Sequence, residues 1–381
     1  MKRISAFFIT LVITVMMTFV SAAAATKNDC NSSVMKAMEF MKNELKSEYT
    51  DEDGSLTADS WSLATVFLCG DKIYKSQFYF LIPEFKSENL PKGSKGTDYA
   101  NYIFGILMLD KNPASYLSGR NIVDELVKSQ DDDGFFSFEN ESKETIRTSN
   151  DQVWAMIALD TVGAQYDKAK AISALKSMQN ADKGFSFFGD KSGVDLTGMA
   201  IIALSKHKDN EDADSLISDC IGFIKSTLQD DGALLGKGDW DSKSSCSQAY
   251  GIIGLVAAGE DVFSGEWSVD GISVVDNLLA NQDENGGFWN HISDKGNSES
   301  WFKEPDSLST VQSIIALSAA SDNKVLFDVI KDRIDDNSPD DKDGQVDTGR
   351  EYTDMIIALF ALMGAVYTVS ATRKSIKKKT V

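Results

Sequence analysis

The chain has 381 residues, a formal net charge of −20 and 42% hydrophobic residues. This length allows a large buried core, and the acidic balance disfavours nucleic acids and other polyanions as partners. The two histidines and four cysteines do not have the spacing of a metal site, so we expect no metal.

The first 25 residues predict a signal peptide. Lys2 and Arg3 precede an apolar stretch from Phe7 to Val20, and small residues follow up to Ala25. This order is typical of a segment that is removed on secretion. We therefore expect the mature chain outside the cell.

A turn sequence recurs along the middle of the chain. Its copies contain acidic or amide residues and a Gly, and they begin at Gln130, Gln179, Gln229 and Gln282, with spacings of 49, 50 and 53 residues. Such residues adopt the left-handed conformation that ends a helix. Each turn lies between an amphipathic segment and a more apolar one, so the repeating unit is a helical hairpin.

Six such hairpins can be counted, and their second helices are apolar on nearly all sides. A helix of that kind belongs in an interior, which predicts an inner ring of apolar helices inside an outer ring of amphipathic ones. The sequence therefore predicts an all-α fold, an (α/α)6 toroid, over residues 26–320. A short open solenoid is the alternative. The predicted hairpins are Val34 to Gly70, Gln77 to Lys111, Asn121 to Gly163, Ala169 to His207, Leu216 to Glu260 and Ile272 to Ala320.

The C-terminal part predicts a membrane anchor. Residues 321–354 are rich in Asp and indicate a solvated spacer. The uncharged run from Met355 to Ala371 then predicts a transmembrane helix over 355–372, and the basic residues of 373–381 favour a cytoplasmic tail.

The cysteines are even in number, as expected for disulfides in an oxidising compartment. Cys30 precedes the first predicted helix and Cys69 ends the second, so antiparallel packing brings them together and predicts a Cys30–Cys69 bridge. Cys220 and Cys246 form the weaker second pair, because both lie near helix starts.

Polar residues recur where the second helices begin. If these helices run parallel, they would surround one mouth of the toroid and offer carboxylates for ligand binding. Asp, Ser and Thr are also the residues that cap helix N-termini, and this alternative remains open. Two tryptophans lie in the longest loop, where we expect them to be exposed. The ligand-binding candidates are Asp98, Asp151, Asp195, Asp306, Trp289 and Trp301.

The turn repeat resembles the prenyltransferase/squalene-oxidase repeat of terpenoid cyclase-like α/α toroids over residues 33–320. The segment Val194 to Leu204 is similar to an inner helix of cobalamin carriers of the intrinsic factor and transcobalamin type, and of their bacterial surface relatives. Ser244 to Ala249 resembles a stretch of the next inner helix in those bacterial proteins, which adds Gln248 to the candidates. The tail resembles a Gram-positive cell-wall sorting signal.

The chain also departs from these families. It has no Asp-x-Asp-Asp motif of squalene cyclases and no zinc triad of protein prenyltransferases, so no catalytic residue follows from the resemblance. Cobalamin carriers close the corrinoid against a β-rich domain, whereas a spacer and tail follow Ala320 here, so we expect no cofactor. Gln345 to Asp347 stand where a sortase motif would have Leu-Pro, which favours membrane retention over covalent wall attachment.

Together these features predict a membrane-anchored extracellular protein that binds a small molecule or glycan without catalysis. The alternative is a terpenoid cyclase-like, prenyltransferase-like or glycan-active α/α-barrel enzyme. Two carboxylates that converge in a cavity would distinguish the alternative from the binding protein.

Overall fold

The protein is described by a computed structural model that covers residues 24–48, 87, 90–108, 111–140, 142–187, 189–235 and 243–336. Most of the predicted signal peptide, Cys69, the anchor 355–372 and the basic tail lie outside the described residues. Within them, we find no helix with the length and apolar character needed to span a bilayer.

The described residues are mostly helical, as predicted. Odd-numbered helices up to α9 are the amphipathic first helices of their hairpins, and even-numbered helices up to α10 are the apolar second ones. The first group comprises α1 (Lys27–Glu48), α3 (Ile122–Lys128), α5 (Lys168–Ser177), α7 (Glu211–Thr227) and α9 (Val274–Ala280). The second comprises α2 (Gly96–Met108), α4 (Ser149–Thr161), α6 (Val194–Leu204), α8 (Ser245–Ala258) and α10 (Ser307–Asp322).

Two short antiparallel β-hairpins lie in the loops between helices, one between α3 and α4 and one between α8 and α9. Strand β1 (Phe138–Glu139) pairs with β2 (Thr145–Ile146), with Phe138 opposite Ile146. Strand β3 (Ser268–Val269) pairs with β4 (Ile272–Ser273), with Ser268 opposite Ser273. Single turns of 3-10 helix occur at Ser205–His207, Gly265–Trp267 and Ile292–Asp294.

The second helices form the interior, which burial confirms. In α6 ten of the eleven residues are buried, whereas α7 buries seven of its seventeen. Neighbouring second helices approach closely through small residues: a Cβ added at Gly254 of α8 would lie 2.7 Å from the Cα of Gly198 in α6. We call α2, α4, α6, α8 and α10 the inner helices.

One residue near the start of each inner helix holds the turn of its own hairpin. Gln152 accepts a hydrogen bond from the Phe136 N–H at 3.0 Å, and its side-chain amide donates to backbone carbonyls on the turn and on α5. Thr197 and Thr310 accept the equivalent N–H of the turn in their hairpins, each at 2.9 Å. Each of these residues is the fourth of its helix, counted from the first helical residue. The fourth position of the inner helices therefore faces outward, toward the turn.

The turns also join each hairpin to the next one. Gly134 has φ +95°, and a Cβ there would lie 2.3 Å from the Lys170 carbonyl oxygen on α5 of the following hairpin. Gly286 repeats this geometry against the Lys36 carbonyl of α1, with φ +95° and 2.2 Å. The last turn thus packs on the first helix as the other turns pack on their successors.

A hydrogen-bonded contact supports the same closure. The side chain of Gln282 accepts from the Ser33 hydroxyl at 2.8 Å and donates to the Ser33 carbonyl at 2.9 Å. Helix α1 also packs against α10, the last inner helix. The chain therefore closes into a ring, and the open-solenoid alternative is wrong.

The body of the protein extends beyond the boundary predicted at residue 320. Helix α11 (Leu326–Asp336) occupies the first part of the expected acidic spacer. Its Leu326, Phe327 and Ile330 are buried, and Lys206 forms an ion pair with Asp328. The apolar face of this helix packs on the ends of inner helices, so this part of 321–354 is not a solvated linker.

The cysteine predictions also need correction. Cys30, Cys220 and Cys246 are free thiols. The Cys220–Cys246 pairing is wrong, because Cys220 is buried within the outer helix α7 whereas Cys246 lies in the first turn of the inner helix α8. Cys69, the predicted partner of Cys30, lies outside the described residues.

Candidate functional site

Helical geometry identifies the side of each inner helix that faces the ring axis. At about 100° per residue, the second, sixth and ninth positions lie opposite the fourth position. The fourth position faces the outer turn, so the second, sixth and ninth positions face the axis. These positions define what a ligand inside the ring would meet.

Aromatic side chains fill the axis from the middle of the inner helices toward the end where they finish. Phe104 at a ninth position and Trp154 at a sixth position have ring centroids 6.4 Å apart. Phe327 of α11 lies 5.2 Å from Phe104 and 6.2 Å from Trp154, also by ring centroids. We call Phe104, Trp154 and Phe327 the aromatic plug.

At the end where they begin, the inner helices bring polar side chains around the axis above the plug, and we call this place the recess. Its rim is formed by the second positions, Thr97, Asn150, Asp195, Cys246 and Leu308, which are half-buried. Its floor is formed by the sixth positions, Asn101, Trp154, Met199, Tyr250 and Gln312. Four residues of helix separate the rim from the floor, a depth of about 6 Å at 1.5 Å per residue.

Asp195 is the acidic residue at an axis-facing second position, and its Oδ1 accepts from the Leu196 N–H at 3.1 Å. It is the one residue of α6 that is not buried. Burial raises the pKa of the Cys246 thiol and the Tyr250 hydroxyl, and the charge of Asp195 raises both further. These two side chains are on the neighbouring inner helix α8.

Asp306 is a second carboxylate at the same mouth. It caps α10, since its Oδ1 accepts from the Ser309 N–H at 2.8 Å and its Oδ2 from the Ser309 hydroxyl at 2.7 Å. Burial raises the pKa of Asp306, against the lowering effect of these hydrogen bonds. Its charge also raises the pKa of the Cys246 thiol. Asp195 and Asp306 thus lie at the starts of the two inner helices that flank α8, and both raise the pKa of one thiol.

Asp98 and Asp151 lie between inner helices rather than on the axis. The buried Asp151 carboxylate accepts from the Thr97 N–H at 3.1 Å, the Thr97 hydroxyl at 2.9 Å and the Thr148 hydroxyl at 2.5 Å. These bonds tie the start of α4 to the start of α2. Burial raises the pKa of Asp98, and the nearby charge of Asp151 adds to the effect.

Gln248 is occupied by structural hydrogen bonds. Its Oε1 accepts from the Leu234 N–H at 2.7 Å, and its Nε2 donates to the carbonyls of Gly232 and Val274 at 3.0 and 2.8 Å. It is buried at a fourth position and holds the turn of its hairpin, as Gln152 does. The structure therefore places Gln248 outside the recess.

The two loop tryptophans differ in exposure. Trp289 is buried, contrary to our expectation, and its indole N–H donates to Asp283 Oδ2 at 2.8 Å. Trp301 is 81% exposed. The loop that carries them begins beside α8, where Ser245 donates to the Trp289 carbonyl at 2.7 Å, and it ends at the cap of α10.

The sequence analysis missed the residues of the floor. The Oε1 atom of Gln312 and the Oδ1 atom of Asn101 are buried acceptors, and neither has a donor among the described residues. Tyr250 and Trp154 complete the polar and aromatic floor. Aligning the second helices at their N-caps would have revealed this column, because its members all follow the cap by six residues.

The comparisons with known proteins bear on the fold. No protein-family model and no curated protein matches the chain. An unsaturated glucuronyl hydrolase from Streptococcus agalactiae is similar in structure, with a TM-score of 0.57 and 10% identity over 81% of this chain and 96% of that one.

Two other solved structures are similar over comparable lengths. The glucuronyl hydrolase from Bacillus sp. GL1 has a TM-score of 0.51 and 12% identity over 77% of this chain and 96% of that one. A variant of the type II terpene cyclase MstE from Scytonema, in complex with its substrate, has a TM-score of 0.50 and 13% identity over 78% of this chain and 99% of that one. These likenesses show the fold, an α/α toroid, and at such identities they show no more than the fold.

Proposed function

We propose that the protein is a glycan-active enzyme whose active site is the recess at the starts of the inner helices. The observation that carries the proposal is the pair Asp195 and Asp306, which lie at the starts of the two inner helices that flank α8 and both raise the pKa of the Cys246 thiol. Most glycoside hydrolases cleave the glycosidic bond with a pair of carboxyl groups that flank it.

The environments of the two carboxylates suggest different roles. Burial raises the pKa of Asp306, so this carboxyl keeps its proton to higher pH and is the proposed proton donor to the leaving oxygen. Asp195 is the proposed base or nucleophile, because it lies on the axis-facing side of α6. Trp154 and Tyr250 provide the apolar floor on which a sugar ring can pack.

The shape of the recess favours a sugar over a prenyl chain. The aromatic plug fills the axis at mid-height, and the remaining depth of about 6 Å matches one sugar ring rather than a long hydrocarbon. The buried amide acceptors of the floor would be left without donors by an apolar ligand. A corrinoid, which the sequence resemblance implied, is a poorer fit for the same reason, since the plug occupies the centre of the ring.

One of the structural neighbours acts on a glycan. The glucuronyl hydrolase from Bacillus sp. GL1 is responsible for the degradation of glycosaminoglycan. Its fold is shared with this chain, whereas its substrate is not transferred here. A glycan-active toroid enzyme is nevertheless a better account of paired carboxylates than the non-catalytic binding protein first expected.

The experiment is the release of reducing ends from a panel of polysaccharides by the full chain. We expect Asp195→Asn and Asp306→Asn each to lower kcat by about 10²–10⁴, the usual contribution of a positioned acid or base. Asn is a good N-cap, so Asp306→Asn preserves the start of α10. Asp132→Asn, which removes the same charge from an exposed turn residue, is the control. Activity that survives in both recess variants would refute the proposal.

We also propose that the protein acts outside the cell on a membrane anchor, as residues 1–25 and 355–372 predict. Fractionation of cells that express the full chain provides the test. Recovery of the chain in the membrane fraction, accessible to externally added protease, is expected; a protease-protected soluble chain would contradict it.

A further inference from the structure

We infer that the recess selects neutral or amino sugars and rejects uronates, and that Gln312 is a hydroxyl-recognising residue of this site. The inference rests on the proposed function and names its substrate class. It is carried by the unpaired acceptors of the floor and by the acidic residues at the helix starts around the recess, which are independent observations.

The first observation is the state of the Gln312 side chain. It is 5% exposed, lies at an axis-facing position of α10, and its Oε1 has no hydrogen-bond donor within the described part of the chain. A buried acceptor without a donor lowers the folding stability by about 1–3 kcal/mol. A structural role therefore does not explain a glutamine at this position. The cost is offset when a ligand donates a hydrogen bond to that atom.

The second observation is that a like acceptor lies on α2, another wall of the recess. The Oδ1 of Asn101 is buried and has no donor among the described residues. Asn101 shares the sixth position with Gln312, so two amide carbonyls occur at the same depth. Sugar hydroxyls and ammonium groups are donors that can bond to both, and a carboxylate cannot donate to either.

The third observation is the acidic character of the helix starts around the recess. Asp195 is on the rim, and Asp98 and Asp151, between the starts of α2 and α4, are in none of the ion pairs between described residues. Arg147 pairs with Asp131 and Asp133, and Lys243 pairs with Asp231, which leaves these cations on the outer turns. A uronate would bring a further negative charge into this acidic mouth.

The test measures binding of three trisaccharides to the full chain by calorimetry. Cellotriose is neutral, the β-1,4 glucosamine trimer is cationic, and the β-1,4 glucuronate trimer is anionic on the same ring and linkage. We expect the first two to bind at least about tenfold more tightly than the third, a difference near 1.4 kcal/mol. Asp98→Asn removes one negative charge about 8 Å from the anionic trimer. At an effective dielectric constant of about 40, this should reduce the ratio of the dissociation constants about sixfold.

Two glutamine variants separate recognition from folding. Gln312→Leu removes the unpaired acceptor, so we expect cellotriose binding to weaken by about tenfold while Tm stays the same or rises. Gln152→Leu is the matched control, since it removes three structural hydrogen bonds and should lower Tm. Unchanged cellotriose binding by Gln312→Leu would overturn the role of this residue.

The outcomes also separate this inference from the proposed function. Binding of the neutral trimer without hydrolysis of any glycan would contradict the proposed catalytic activity but support the proposed selectivity. Hydrolysis of a polyuronate, or equal binding of the three trimers, would contradict the selectivity without contradicting the catalytic activity. Failure of all three trimers to bind overturns the inference.

Discussion

Replacement of Phe327 tests whether α11 is part of the toroid. Its ring is 3% exposed and lies in the aromatic plug, 5.2 Å from Phe104 and 6.2 Å from Trp154 by ring centroids. Phe327→Ala would leave a cavity among these rings. Leu326 and Ile330 would continue to hold α11 in place, so the site cannot collapse easily.

The expected cost follows from this geometry. Buried Phe→Ala changes lower the free energy of unfolding by about 3–5 kcal/mol, and the larger values occur where the cavity persists. We therefore expect a loss of about 4 kcal/mol, a large part of the about 5–15 kcal/mol by which proteins are stable. With a slope of about 3 kcal/mol per molar urea, the unfolding midpoint would fall by about 1.3 M.

The assay is equilibrium urea unfolding followed by tryptophan fluorescence, to which Trp154 of the plug contributes. Phe302→Ala is the matched control, because Phe302 is 39% exposed and its loss should cost about 0.5 kcal/mol or less. Equal midpoints for the two variants would refute the placement of α11 in the core. Residues 326–336 would then behave as the acidic linker that composition indicates.

Three further predictions concern the ring itself. Gln248→Leu should lower the free energy of unfolding by about 2–4 kcal/mol in urea titrations, because it leaves three buried backbone groups without partners. Gln282→Leu removes the contact with Ser33 that closes the ring, and we expect faster hydrogen exchange in α1 while the amides of α6 keep their protection. Burial alone would raise the pKa of Asp160, but hydrogen bonds from His207 and Lys168 outweigh it and lower the pKa. Asp160→Asn should therefore destabilise the protein at pH 7, and the difference in Tm from the wild type should shrink as the pH falls below about 4.

The sequence was sufficient for the fold because hairpin repeats have a strong periodic signal. Turns that begin with Gln130 or Gln282 and second helices that are apolar on all sides directly predict an outer and an inner ring. The sequence favoured a closed ring but left the open solenoid as an alternative, because closure depends on a contact between Gln282 and Ser33, which are 249 residues apart.

The site was harder to predict than the fold. An Asp at a helix start can cap or bind, and only the three-dimensional arrangement shows that Asp195 faces the axis whereas Asp151 bonds to a neighbouring helix. The role of Gln248 depends on partners in other elements, which its local sequence does not specify. For α11, the Asp-rich composition concealed the apolar face of Leu326, Phe327 and Ile330.

The most direct test of the proposed site is a crystal structure of the Asp195→Asn variant soaked with cellotriose. We predict a sugar ring above Trp154, with a hydroxyl within about 3 Å of Gln312 Oε1 and the scissile oxygen beside Asp306. A trisaccharide found only on the outer surface, for example beside Trp301 or in the cleft between Tyr99 and Arg120, would contradict the assignment of the recess as the active site.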